Sequence, residues 1–162
     1  MMMGLTASAS FAEEAKIATV DMQKALQSVE AGKAAKAKLE GEFNAKKKSL
    51  QTEEASLKKL TEEFKKQSLV LSDEARAKKQ QEIQERIMKF QETTARSQQE
   101  IQQKEQDLTA PILGRLKGLI AETAKAKGYT VVLEKNDNNV LYSQEKDDLT
   151  ADVIAAFNKK KG

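Results

Sequence analysis

The chain of 162 residues has no cysteine and no histidine. Thiolate nucleophiles, imidazole bases, zinc sites built on either side chain and disulfides are therefore excluded. The lack of cysteine leaves an oxidising compartment open and means only that stability there does not come from cross-links. Tryptophan is absent, aromatic residues make up 4% of the chain, and Pro111 is the single proline. With so few large apolar groups, one copy cannot build a generous compact core, so an elongated or oligomeric protein is expected. No apolar run approaches the roughly 18 residues that a membrane-spanning helix needs. What is present is charge, at 33% of residues, together with Ala, Glu, Lys, Gln and Leu, which is a helix-rich composition. The net charge of +3 suits anionic partners but lacks the bias of a dedicated nucleic-acid binder, so no specific nucleic acid is expected.

From Gly32 to Lys127 large apolar residues recur at alternating steps of four and three. The first run is Leu39, Phe43, Leu50, Leu57, Leu60, Phe64 and Leu71, a heptad pattern in which Lys46 and Glu53 occupy positions that a tight coiled coil would fill with Leu or Ile. In SLVLSDEARA the pattern breaks: Ser72 stands as a helix N-cap, with Asp73 and Glu74 in the first turn, where the helix dipole favours acids. A second run follows through Ile83, Ile87, Phe90, Ile101, Leu108 and Ile112, with Thr94, Ser97 and Lys104 in intervening slots. Two such helices joined by a short tip predict an antiparallel hairpin with an under-filled seam. Pro111 removes a backbone hydrogen bond inside the return helix and predicts a kink. Beyond it Leu113, Leu116, Leu119 and Ile120 cover a wide face, as in a packed base.

Three short strands are expected around this hairpin: KIATVDM near the N-terminus, GYTVVLE near the C-terminus and, after the turn-forming Asn136–Asn139, VLYS. In DDLTADVIAAFN, Thr150 sits between Leu149 and Ile154 at the positions of a hydrophobic staple, which opens a final helix. Three strands alone leave uncovered edges, and pairing with copies of the same chain would cover them. The fold class is α+β, predominantly α: a small β body from residues 13–31 and 112–158, and a long protruding helical hairpin from 32–111 with its tip near 68–74. Residues 159–162 are expected to form a solvated tail.

The front of the chain admits two readings. Ser10 and Ala12, small residues followed at once by Glu13 and Glu14, resemble a signal-peptidase site, yet MMMGLTASA lacks the basic n-region and the apolar core of a full signal peptide. An Ala- and Ser-rich N-terminal tail is the alternative.

KIATVDMQKAL with EAGKAA, LSDEARAKKQQEI, LTAPI, KGYTVVLEKN, VLYS and DDLTADVIAAFN occur in this order in the Skp family of OmpH-like periplasmic chaperones, which the chain resembles from Lys16 to Asn158. The resemblance implies a homotrimer whose strands form a barrel-like body and whose three hairpins surround a cavity. That cavity holds unfolded outer-membrane β-barrel proteins without ATP. Ile17, Val20, Val131, Leu133, Val140, Leu141 and Tyr142 match the body strands, and Ala34 to Leu108 correspond to the arms. It also favours periplasmic localisation, with residues 1–12 removed by a cut after Ala12.

Client contacts are expected to be diffuse, from Leu50, Leu57, Leu60, Phe64, Leu69, Leu71, Ile83, Ile87 and Phe90 with Lys58, Lys59, Lys65 and Lys66. Apolar and flexible basic side chains suit a partner without fixed shape. The lysines make anionic lipid or lipopolysaccharide a further candidate partner, although pairs such as Glu54 with Lys58 and Glu62 with Lys66 suggest ordinary surface pairing. Enzymatic activity is not expected. Gly32-Lys33 lacks the remainder of a phosphate-binding loop, and Glu53-Glu54 and Glu62-Glu63 lie on helix where nothing shifts their acidity. No cofactor or metal is expected. The alternative to a chaperone is a structural coiled-coil scaffold or tether.

Overall fold

The computed structural model describes residues 15–136 and 139–160. The expected cut after Ala12 and the end of the tail, Lys161-Gly162, lie outside the described residues. The element order is β1 (Ile17–Val20), α1 (Met22–Ser28), α2 (Glu30–Gln67), α3 (Asp73–Ala126), β2 (Val131–Glu134), a 3-10 turn (Glu145–Asp147) and α4 (Thr150–Lys159). The fold is thus mostly helical, with a small two-stranded sheet. Two compact units divide the chain: residues 30–112 form one, and residues 1–29 with 113–162 form the other.

In the second of these units β1 and β2 pair in parallel, Ile17 opposite Val131 and Val20 opposite Glu134. Asp21 ends β1 and starts α1, its carboxylate accepting the Lys24 backbone N–H at 2.7 Å. Helix α1 packs on α4. Ala18, Val20, Ala25, Val29, Leu116, Leu119, Leu149, Val153 and Phe157 are buried and form the core. The C-terminus of α3 is closed by Gly128, whose positive φ of 72° is a conformation that only glycine adopts without strain. Its N–H reaches the Lys125 carbonyl and the Tyr129 N–H reaches that of Ala124. This double bond pattern satisfies two end carbonyls and turns the chain directly into β2.

The expected third strand is absent: Val140, Leu141 and Tyr142 are not in a strand. The second edge of β1 is taken instead by the chain before α4, where Leu149 N–H donates to the Thr19 carbonyl at 2.9 Å and Asp148 bridges Thr19. Segment 140–142 could then pair only with the outer edge of β2, and its exposed Leu141 and Tyr142 gain no burial there to offset the cost of ordering them. The start of α4 also differs from expectation. The Thr150 hydroxyl does not cap its helix; it donates to Asp148 Oδ1 and accepts from the Asp21 N–H at 2.9 Å. Asp148 takes over the capping role by accepting the Thr150 N–H at 2.9 Å. Lys160, expected in a solvated tail, pairs with Glu122.

In the unit of residues 30–112, Ser72 caps α3 as expected, its hydroxyl accepting from Ala75 N–H at 3.3 Å. Pro111 lies within α3, which is assigned as helix on both sides of it.

Candidate functional site: a helical hairpin with an ion-paired seam

Helices α2 and α3 are joined by the turn at residues 68–72 and run antiparallel, as three ion pairs between them show. Glu42 meets Lys104 at 3.2 Å, Lys46 meets Glu100 at 2.5 Å, and Glu53 meets Arg86 at 2.7 Å. These pairs resolve the polar gaps in the heptad pattern: Lys46 and Glu53 each find an opposite charge on the facing helix. Arg86 also donates to the Ser56 hydroxyl at 3.2 Å. Glu100 is shared between Lys46 and Arg96, whose hydrogen bonds hold its carboxyl below the usual carboxylate range. Glu42, Arg86 and Glu100 were not foreseen from the sequence, where only the core positions of the heptad pattern were followed. Each stands one residue before an apolar register position, Phe43, Ile87 or Ile101, which is the flanking position from which a charged side chain reaches the facing helix.

Along this seam Leu57 and Ile83 are buried at 8% and 7% exposure. Both were expected among the client contacts, and both are instead occupied with the packing of the hairpin itself. Leu50, Leu60, Phe64, Leu71 and Phe90 are partly buried, and Ile87 is more open. Phe43 is less buried than the expected seam implies: it is half exposed and lines a cleft with Ile101, beside the Glu42–Lys104 pair. The four candidate lysines Lys58, Lys59, Lys65 and Lys66 are all exposed. Neither expected pair, Glu54 with Lys58 or Glu62 with Lys66, forms; Lys59 instead reaches Glu63 at 3.9 Å. Exposed pairs of this kind contribute a few tenths of a kcal/mol, too little to fix two long side chains.

The tip presents Leu69 and Val70 at 90% and 85% exposure. Arg76 holds the turn beneath them, donating from Nε to the Ser68 carbonyl at 3.0 Å and pairing with Asp73. An arginine that satisfies a turn carbonyl fixes the path of the turn, so the two apolar side chains point outward by construction.

The other unit carries a separate apolar surface. Ile17, Val131 and Leu133 on the sheet are half exposed, and Leu141 and Tyr142 stand almost fully in solvent at 96% and 82%. Val20, expected with them, is buried in the core instead. An alternating strand has two faces, and the face of Val20 is covered by its own chain. Two polar links hold the start of α4 in this unit, one from the residue after β2 and one from the residue after α3. Asp148 accepts from Lys135 at 2.8 Å as well as from Thr150. Burial pushes its carboxyl up, but these hydrogen bonds outweigh it and leave the group below its ordinary value. Lys127 pairs with Asp152, which raises the pKa of its ammonium. Burial and the hydrogen bond to Asp147 raise that of the Tyr129 phenol. Each of these shifts has a structural partner as its cause.

Among the described residues no group of acidic, His or Cys side chains is placed to hold a metal ion, and no helix is long and apolar enough to cross a membrane. The chemistry on offer is that of surfaces: in one unit a hairpin closed by charges, with exposed lysines and an apolar tip, and in the other exposed apolar side chains on the sheet.

The sequence model of the family described as outer membrane protein (OmpH-like) matches residues 16–157. The chain belongs to the OmpH-like family. Among OmpH-like relatives, it is 31% identical over 152 residues to the chaperone protein Skp of Yersinia pseudotuberculosis, covering 94% of this chain and 91% of that protein. It is 26% identical over 152 residues to the chaperone protein Skp of Yersinia enterocolitica, with the same coverage. The crystal structure of an OmpH-like protein from Caulobacter crescentus matches 99% of this chain and 91% of its own, with a TM-score of 0.80 at 19% identity. That last likeness concerns the fold, and it extends over both units of the OmpH-like chain.

Proposed function

We propose that this protein is an ATP-independent holdase chaperone of the periplasm, which captures unfolded outer-membrane β-barrel proteins between the arms of a homotrimer and keeps them from aggregating. The observation that carries the reading is the hairpin of residues 30–112: a long helical arm with a charged seam and an outward apolar tip, in a chain whose relatives are chaperones. An unfolded barrel protein displays alternating apolar side chains and free backbone groups, and it aggregates by edge pairing unless kept apart from its own kind. Many weak contacts hold such a client better than one tight site. Leu69, Leu71, Ile87 and the partly open Leu50, Leu60, Phe64 and Phe90 supply the apolar contacts, and Lys58, Lys59, Lys65 and Lys66 the electrostatic ones.

The half-exposed sheet residues, together with Leu141 and Tyr142, form the trimer surface in this reading. An exposed apolar stretch beside an unpaired strand edge is what contact with another copy would cover. Export requires a cut after Ala12, and anionic lipid or lipopolysaccharide is a secondary partner for the basic arms.

The test dilutes an unfolded outer-membrane barrel protein from urea with and without the chain, following light scattering and mass in solution. A soluble complex of three chains to one client supports the reading. A stable trimer that leaves aggregation unchanged refutes it and favours a scaffold.

A further inference from the structure

Two clefts flank the hairpin at the level of Leu50, one on each side of the seam, and they differ in charge. The first, of about 850 Å³, lies between Ala45–Glu53 and Arg86–Thr93, with Leu50 and Phe90 as its apolar floor. Three cations line it, Lys48, Arg86 and Lys89, against one carboxylate, Glu53, which is already paired with Arg86. Lys48 and Lys89 have no acidic partner among the described residues. The second cleft, of about 700 Å³, sets one carboxylate, Glu54, against Lys47, and its Lys46 is taken by Glu100, so its charges balance. Only the first therefore carries uncompensated positive charge over an apolar floor.

Its rim is polar as well. The hydroxyls of Thr52 and Thr93 donate to the helix carbonyls of Lys48 and Lys89, at 2.9 and 2.7 Å. Their oxygens keep lone pairs that can accept from a backbone N–H. An acyl chain would need a continuous apolar wall, whereas here two large apolar side chains sit among hydroxyls and ammonium groups. An extended peptide offers what this arrangement recognises: free N–H groups, an apolar side chain and, two positions along on the same face, a carboxylate.

We propose that the cleft between Lys48 and Lys89 is a capture site for extended client segments that carry acidic and apolar side chains on the same face. The apolar side chain rests on Leu50 and Phe90, and the carboxylates meet the two free ammonium groups. This rests on the holdase reading and names the client sequence that the arm prefers.

The probes are two labelled peptides of twelve residues, one with Asp and Val or Tyr taking turns at every second position and Ser between them, the other with Asn in place of Asp, titrated against the full chain and its Lys48→Gln/Lys89→Gln variant. Wild type binds the acidic peptide about threefold to tenfold more tightly than the amide peptide, and the variant loses that preference while keeping its affinity for the amide peptide. A preference that survives in the variant, an equal loss for both peptides, or no binding of either peptide to wild type overturns the proposal. So does a variant that loses binding to vesicles containing anionic lipid while its peptide preference stays intact, because the cleft would then serve lipid. Suppression of aggregation by wild type is measured in parallel. If it holds while the peptide preference fails, only the capture site is refuted; if it fails, the holdase reading falls.

Discussion

Replacing the seam ion pair Glu53–Arg86 with two leucines should tighten the hairpin. The two side chains are 44% and 35% exposed where they meet at 2.7 Å, so a leucine at either position would bury roughly six-tenths of its surface. Full burial of a leucine contributes about 1.5–3 kcal/mol, so each substitution gains about 1–2 kcal/mol. The half-exposed ion pair that is lost contributes about 0.2–1 kcal/mol, and the Ser56 hydroxyl released by Arg86 regains water. The hydrophobic gain wins, and the net stabilisation of the mid-arm is about 1–3 kcal/mol. Amide hydrogen exchange across residues 48–60 and 80–92 is the suitable assay, because it reads the opening of the arm separately from that of the rest of the chain. Protection should rise about fivefold to 150-fold, since 1.4 kcal/mol is a factor of ten. Single replacement of Arg86 should instead lower protection, leaving Glu53 without its partner in the seam. If the double variant exchanges no more slowly than wild type, the ion pairs are not the weak points of the arm and the reasoning fails.

Three further outcomes follow from the same geometry. Leu116→Ala removes a fully buried side chain and should cost about 2–5 kcal/mol in urea unfolding, whereas Leu69→Ser at the exposed tip should change stability by less than about 0.5 kcal/mol. Asp148 has its carboxyl held below the ordinary value by Lys135 and Thr150, so its contribution is complete above about pH 4 and is lost as pH falls through the lowered value; urea midpoints of wild type and Asp148→Asn should differ at pH 6 and converge towards pH 2. Leu141→Asp with Tyr142→Asp alters only exposed side chains, so circular dichroism should remain native while mass in solution falls from that of the proposed trimer to that of a monomer; an unchanged mass would remove this segment from the proposed trimer surface.

The helices were legible because their signals are local. Ser72 ahead of Asp73 and Glu74 marks a helix start with chemistry that acts within one turn, and the cap forms as expected. The β-branched runs at Ile17 and Val131 likewise mark β1 and β2. The third strand misled for the opposite reason. Whether Val140–Tyr142 becomes a strand depends on a free edge, and the edge of β1 had already gone to Asp148 and Leu149 from a neighbouring segment. The seam was half legible: its apolar register could be followed, but the polar slots read as gaps.

By itself the amino-acid sequence determined the helical character, the hairpin turn and the absence of thiol and imidazole chemistry, since propensity, capping and composition act over a few residues. Tertiary structure alone decided that Lys46, Glu53 and Lys104 close the seam on Glu100, Arg86 and Glu42, that Val20 and Leu57 turn inward, and that Lys48 and Lys89 remain free beside the same cleft. Partners 33 to 62 positions apart are set by how two helices align, a relation that no local pattern contains.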